Sequence, residues 1–383
     1  MSRRLVILTE IISPYRIPLF NALSHDAEMT SHVIFFSETD PNLRQWRVYK
    51  EDVQFSNRVL PSWRRRLGKF NVLLNWNVTD ALSQAAPDAI LCGGYSYLAS
   101  WQALRWARSR NIPFLLWSES NLQDARKGHP PVELLKTEFL RQCSGFVVPG
   151  QSARDYLLAH KISEDKIFIA PNAVDNDLFR SSAEQIRKDA DANRQKLGLP
   201  KRYVLFVGRL VSEKGVFDLL EAYAELEEPL RQEVGLVFVG DGPASQELEK
   251  RAMKVCPGNI KFAGFVHREQ LPAYYALAEM LVLPTYTDTW GLVVNEAMAC
   301  GLAVIVSEAA GCSRDLVKEG WNGRIIVPHN IASITSGMRD LAMQPEVCAT
   351  MGAHSLLHIT QFSPREWSRA VTGAVTTTMS KHG

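Results

Sequence analysis

Short apolar runs recur along the chain, separated by stretches long enough for amphipathic helices. The first series reads as buried strands at Leu5–Leu8, Val33–Phe36, Ala89–Leu91, Phe114–Trp117 and Gly145–Val148, with a helical stretch such as Ser100–Ser109 between. A second series follows at Ile167–Ala170, Tyr203–Val207, Gly235–Val239, Ile260–Ala263, Met280–Leu283 and Ala303–Val306. Runs this short, apolar throughout and spaced by helices, predict parallel sheets joined by βαβ crossovers. Two series predict two doubly wound domains, with a cleft where the C-terminal ends of their strands face each other. The polar stretch SSAEQIRKDADANRQKLGLPKR, residues 181–202, is punctuated by Pro200 before the next strand and marks a boundary near residues 172–200, or is itself a surface helix inside one domain. We place the domains at 1–171 and 172–362, with a terminal helix at 363–383 packing back on the first.

Composition narrows the classes. The 383 residues suffice for two domains, and 46% hydrophobic with 22% charged content is that of an ordinary globular enzyme. A net charge of +2 favours neither nucleic acid nor a strongly anionic partner. Cys92, Cys143, Cys256, Cys300, Cys312 and Cys348 include no C-x-x-C pair, which reads as reduced thiols of a cytoplasmic protein. The N-terminus starts basic and then apolar, but Thr9, Glu10 and Pro14 break the run, so we expect no signal peptide. No apolar run reaches the roughly 18 residues that span a bilayer, so any membrane contact is peripheral.

Four stretches of the second half carry chemistry. In VLFVGRLVSEKG a strand ends before Gly208, and Arg209 and Lys214 fall in the loop ahead of a helix starting near Gly215. A guanidinium fork and an ammonium beside a helix N-terminus suit a diphosphate, or are solvated surface charges. In LVFVGDGPASQ the G-x-G pair does not complete a dinucleotide fingerprint, and Asp241 reads as a turn residue. In IKFAGFVHRE, Phe265 and Val266 follow a strand where a planar base could lie, and His267 reads as a surface or capping residue. In TDTWGLVVNEAMACG, Asp288 or Thr289 is positioned to cap a helix from about Gly291 to Gly301. The amides of Gly291, Leu292 and Val293 are then donors for an anion, and Glu296 faces a pair of hydroxyls.

GRLVSEKG, FVGDGP, FAGFV and DTWGLVVNEAMACGLAVIVSEAAG, in this order, resemble the retaining glycosyltransferases of family 4, with the GT-B fold of two Rossmann-like domains. APNAVDNDLF, residues 170–179, is similar to that family's interdomain segment, and the resemblance covers about the last two-thirds of the chain well. It implies that Arg209 and Lys214 bind the donor diphosphate, that Glu296 holds the ribose hydroxyls, and that the Gly291–Val293 backbone meets the distal phosphate. Gly208 opens the first donor loop, and Phe265 and Val266 lie near the base. The family has Glu where this chain has Asp288, a position that contacts the transferred sugar; the side chain here is one methylene shorter. The resemblance further implies that the N-terminal domain binds the acceptor and that uridine diphosphate is the default carrier.

In that half, Pro14-Tyr15-Arg16 replaces the relatives' glycine-rich loop, and Arg16 either clamps phosphate or caps the next helix. Glu119 stands about where many relatives have a His; it orients the acceptor hydroxyl or is a capping or solvated acid. Residues 44–70 hold eight Lys/Arg against two acids, and Arg64, Arg65 and Arg66 adjoin Trp63, Phe70, Leu73, Leu74 and Trp76. Such a mixture suits an anionic membrane surface on the inner face or a lipid-phosphate acceptor, or else is a core stripe beside a solvated basic loop. The expected activity is metal-independent transfer of a hexose-type sugar to a hydroxyl acceptor, a lipid-linked or cell-envelope glycan among the candidates. No cofactor and no metal are expected; the nucleotide sugar is a co-substrate. An epimerase or hydrolase on the same fold, or a silent sugar-nucleotide-binding protein, are the alternatives.

Overall fold

The computed structural model describes residues 2–40, 47, 49–67, 70–123, 130–255 and 258–382, without the side chains of 66, 67, 70, 71, 130 and 131. Of the residues singled out from the sequence, Arg44, Lys69 and Cys256 lie outside the described residues, as do the side chains of Arg66 and Phe70. The chain forms two compact units, Met1–Val174 with Ser363–Gly383, and Asp175–Phe362.

Unit 1 contains β1 (Arg3–Thr9), β2 (Met29–Phe35), β3 (Ser56–Val59), β4 (Ser62–Leu67), β5 (Phe70–Asn75), β6 (Ala89–Cys92), β7 (Phe114–Trp117), β8 (Gly145–Val148) and β9 (Ile167–Ile169). Seven form a parallel sheet in the order β3-β2-β1-β6-β7-β8-β9, while β4 and β5 pair as an antiparallel hairpin. The central strands are apolar throughout because both faces are covered. Val6, Leu8, Ile90 and Leu116 point into one core. The alternate residues Leu5, Ile7, Leu91 and Leu115 point into the other, where the terminal helix Pro364–His382 buries Trp367, Val371 and Val375 against Phe20 and Trp117.

Unit 2 contains β10 (Arg202–Val207), β11 (Val234–Val239), β12 (Ile260–Phe262), β13 (Met280–Leu283), β14 (Ala303–Ser307) and β15 (Gly323–Ile326), parallel in the order β12-β11-β10-β13-β14-β15. In both sheets the order reverses beside the first strand, between β1 and β6 and between β10 and β13. Loops leaving the two strands of such a pair diverge, and ligands of doubly wound sheets bind in the crevice they open.

The eleven runs expected as strands are strands. Ile167–Ala170 opens the second series of runs but falls inside the first expected domain, 1–171, and it supplies β9, the edge of the first sheet, because its register runs against β8. The stretch 181–202 is folded within unit 2, largely as the helices Asn176–Lys188 and Ala190–Leu197.

Candidate active site

Two loops meet at the switch point of unit 2. The first leaves β10 at Gly208, carries Arg209, and makes a single 3-10 turn at Ser212–Lys214 before the helix Val216–Ala224. The second leaves β13 at Pro284 and reaches the helix Leu292–Ala299. They are laced together: Tyr286 N–H donates to the Glu213 carbonyl at 2.9 Å and Thr285 Oγ1 to the same oxygen at 3.0 Å. Gly215 makes this possible, since a Cβ there would stand 2.1 Å from the Pro284 carbonyl oxygen. The consequence is chemical: Lys214 Nζ donates to Asp288 Oδ2 at 2.5 Å, with both side chains largely buried. Tyr286 is fixed further by a hydrogen bond to Asp218 and by stacking on His329 at 3.6 Å.

The helix Leu292–Ala299 has Gly291 at its N-cap, which offers no side chain to close the first turn. The expectation that Asp288 or Thr289 caps it is therefore corrected. Asp288 is drawn instead to Lys214 and, by its backbone carbonyl, to Gly311 N–H at 3.0 Å. Leu292 and Val293 open the helix, and an unclosed N-terminus presents free N–H groups and the positive end of the helix dipole.

Glu296, one turn on, is half-buried, and the fully buried Tyr275 donates its hydroxyl to Oε2 at 2.6 Å. Burial pushes the Glu296 carboxyl up to about 7; the Tyr275 hydrogen bond and the nearby Arg268 charge pull against it. Tyr275 lies on the helix Leu271–Leu277. Arg187 fixes both helices from behind, donating to the Ala276 carbonyl at 3.0 Å and the Cys300 carbonyl at 2.6 Å.

Phe265 and Val266 follow Gly264, whose carbonyl accepts from Gly240 N–H at 2.8 Å. Phe265 is exposed, with its ring edge-on to His267 at 5.1 Å. The glycines of GDGP serve close packing: a Cβ on Gly240 would stand 1.9 Å from the Gly208 carbonyl oxygen. Asp241 accepts from Gly242 N–H and Ser245 Oγ, as a turn residue does. Arg209 is exposed and its guanidinium meets no partner among the described residues.

In unit 1 the structure brings Arg16 and Glu119 together. Arg16 donates to Thr9 Oγ1 at 2.7 Å and to Glu119 Oε1 at 3.4 Å, and lies 4.4 Å from the Trp117 ring centroid. Its side chain caps no helix. Arg64 corrects the reading of a basic surface: it is buried on the inner face of the hairpin, donating to Glu10 at 3.0 Å and to Asp40. Strand alternation leaves Arg65 and Trp63 on the exposed face, opposite Val72 and Leu74. Among the described residues no three His, Cys, Asp or Glu side chains gather as metal ligands, and no helix is long and apolar enough to cross a membrane.

With this geometry in place the comparisons are specific. Residues 188–355 match the model for glycosyl transferases group 1, and residues 26–178 the model for glycosyltransferase family 4. The chain belongs to the family 4 glycosyltransferases, and its two doubly wound units are those of the GT-B fold. It is 30% identical over 176 residues to an alpha-D-kanosaminyltransferase of Streptomyces kanamyceticus, covering 44% of this chain and 45% of that protein. It is 28% identical over 220 residues to a D-inositol 3-phosphate glycosyltransferase of Thermomonospora curvata, covering 55% and 51%. The matched segments thus span about half the length of these curated relatives. The solved structure of Anabaena Alr3699/HepE in complex with UDP superposes with a TM-score of 0.74 at 17% identity, over 98% of this chain and 100% of that one.

Tyr275, Arg268 and Arg187 were missed by sequence reasoning. A Tyr inside an apolar helix carries no signal of its own; only the burial of Glu296 creates the need for a donor there.

Proposed function

We propose that the protein is a retaining glycosyltransferase that moves a hexose from a nucleotide-diphosphate sugar, with uridine as the base, to a hydroxyl acceptor. One observation carries the reading: an unclosed helix N-terminus, a lysine–aspartate pair and a tyrosine-held glutamate lie along one loop–helix segment at the switch point of unit 2. The diphosphate would lie against the Gly291–Val293 amides and the cations Arg209 and Lys214. Glu296, with Oε2 held by Tyr275, offers Oε1 to the ribose hydroxyls. Asp288 stands beside Lys214 to meet the transferred sugar.

In this reading the bond from the anomeric carbon to the phosphate oxygen lengthens first, and the electron pair leaves with the diphosphate. Cations and amides already aimed at that oxygen stabilise the charge as it develops. The acceptor hydroxyl attacks the same face of the sugar and passes its proton to the departing phosphate oxygen. No resident metal enters the proposed step. The acceptor belongs to unit 1, near Arg16 and Glu119. Cys92, Cys143, Cys300, Cys312 and Cys348 are free and buried, in keeping with a reducing cytoplasm. Arg65 with exposed Trp63 is what remains of the proposed contact with an anionic membrane.

The test is turnover of several nucleotide sugars with and without acceptor. Arg209→Ala and Lys214→Ala are each expected to lower transfer by roughly two orders of magnitude, the scale for losing one positioned electrostatic donor. Near-normal turnover in both variants would refute the clamp. Rapid donor consumption without acceptor would identify a hydrolase or epimerase instead.

A further inference from the structure

Unit 1 has its own array of charges at the switch point of its sheet. Glu10 directly follows β1, and Tyr97 precedes the helix Leu98–Ser109 that follows β6. Arg64 Nη1 bridges Asp40 and Glu10, and the Tyr97 hydroxyl is hydrogen-bonded to Glu10. Glu10 is close enough to Arg16 to act on its charge, and Arg16 pairs with Glu119, which also accepts from Asn172 Nδ2 at 3.5 Å. Asp40, Arg64, Glu10, Arg16 and Glu119 therefore form an alternating chain with one negative charge in excess.

The chain is graded in exposure. Asp40 is 2% exposed and Arg64 9%, while Glu10 is 31% and Glu119 28% exposed, so a ligand reaches the two carboxylates. Behind them three arginine nitrogens are buried without a hydrogen-bond partner, Nε and Nη2 of Arg64 and Nε of Arg16. Buried donors of a charged group are rarely left unfilled. What fits must accept from arginine N–H groups and donate to carboxylates. A phosphate only accepts and meets a net negative charge; an ammonium only donates and leaves the arginines unfilled. A hydroxyl does both.

We propose that this array is a binding site for the vicinal hydroxyls of a neutral polyol, a sugar or cyclitol ring, and that it selects against phosphorylated ones. The inference rests on the transferase reading only in taking that polyol to be the acceptor. Glu10 is its specificity-determining residue. Arg16 is then no phosphate clamp, since its charge is shared between Glu10 and Glu119.

The experiment uses the full chain with methyl α-D-glucopyranoside, myo-inositol and glucose 6-phosphate as probes, read by saturation-transfer NMR, and UDP read by calorimetry. The neutral probes are expected to bind at least tenfold more tightly than glucose 6-phosphate. Glu10→Gln should weaken the neutral probes about tenfold and narrow the discrimination, with UDP affinity unchanged. Glu10→Asp, which keeps the charge, should retain the preference and controls for folding. Tighter binding of glucose 6-phosphate, indifference of the folded Glu10→Gln protein, or no binding of either neutral probe would each overturn the proposal. Failure of UDP to bind would instead strike the transferase reading and leave the polyol measurement to decide this one.

Discussion

Glu296 shows how one half-buried acid ties the proposed nucleotide binding to stability. Its carboxyl ionises near 7 in the fold against an ordinary value of 4.5, because burial disfavours the charge. Well below 4.5 the group is protonated whether the chain is folded or not, and costs nothing. As pH rises the unfolded chain ionises freely while the folded one resists, so stability is lost up to about pH 7 and the loss is constant above. Glu296→Gln is therefore expected to leave stability unchanged at pH 4 and to raise it at pH 8, by up to about 3 kcal/mol at 1.36 kcal/mol per unit. Denaturant melts at the two pH values check this. In the proposed reading nucleotide binding runs the other way, since the ribose hydroxyls would need the carboxylate as acceptor. UDP affinity should fall as pH drops below 7, and the Gln variant should lose that component of the pH dependence. Tyr275→Phe removes the hydroxyl that pulls the carboxyl down, so the midpoint should move above 7 and affinity at pH 7 fall about tenfold, the scale of a hydrogen bond to a charged group. An unmoved midpoint in calorimetry would mean that the hydroxyl does not set the ionisation of Glu296.

At the scale of elements, the proposed donor site depends on two loops that approach closer than side chains allow. Gly215 has φ +68° and a Cβ there would stand 2.1 Å from the Pro284 carbonyl oxygen, whereas Gly320 has φ +71° and open space around it. Alanine at either position meets the same left-handed backbone strain, on the order of 1–2 kcal/mol. Only at Gly215 must the second loop also move, and with it Asp288. Gly215→Ala is expected to lower both stability and UDP affinity, and Gly320→Ala only stability. Equal affinities in the two variants would show that the lacing of these loops does not matter to the site.

Elements also explain what was legible in the sequence. Apolar runs with both faces buried announce themselves, and so did the loops that carry Lys214 and Asp288. The strands β3, β4, β5 and β15 were not foreseen. β4 reads SWRRRL, whose charges hide the alternation, and the burial of Arg64 requires Glu10 and Asp40, far along the chain. Grouping Ile167–Ala170 with the second series of runs, although the expected boundary at 171 kept it in the first domain, has a related cause: a three-residue strand records no choice of sheet, and only its pairing with β8 does.

For the whole molecule, the two units differ in how the chain supplies them. Unit 2 is one continuous segment, while unit 1 is completed by the last residues of the chain. Trp367 is fully buried, 5.2 Å from the Trp117 ring and 6.0 Å from Phe20, and Thr372 donates to Asp26 at 2.9 Å. Removing a buried Trp side chain costs about 3–5 kcal/mol, since the large cavity left behind collapses only in part. That cost falls on unit 1, whose core holds Phe20 and Trp117, whereas Glu296, Lys214 and Asp288 belong to unit 2. Trp367→Ala is therefore expected to split thermal unfolding into two transitions, the lower one from unit 1, with UDP raising only the upper one. A ligand stabilises only the state that binds it. If instead UDP moved both transitions together, the units would unfold as one cooperative body and the nucleotide would be sensed across the whole chain.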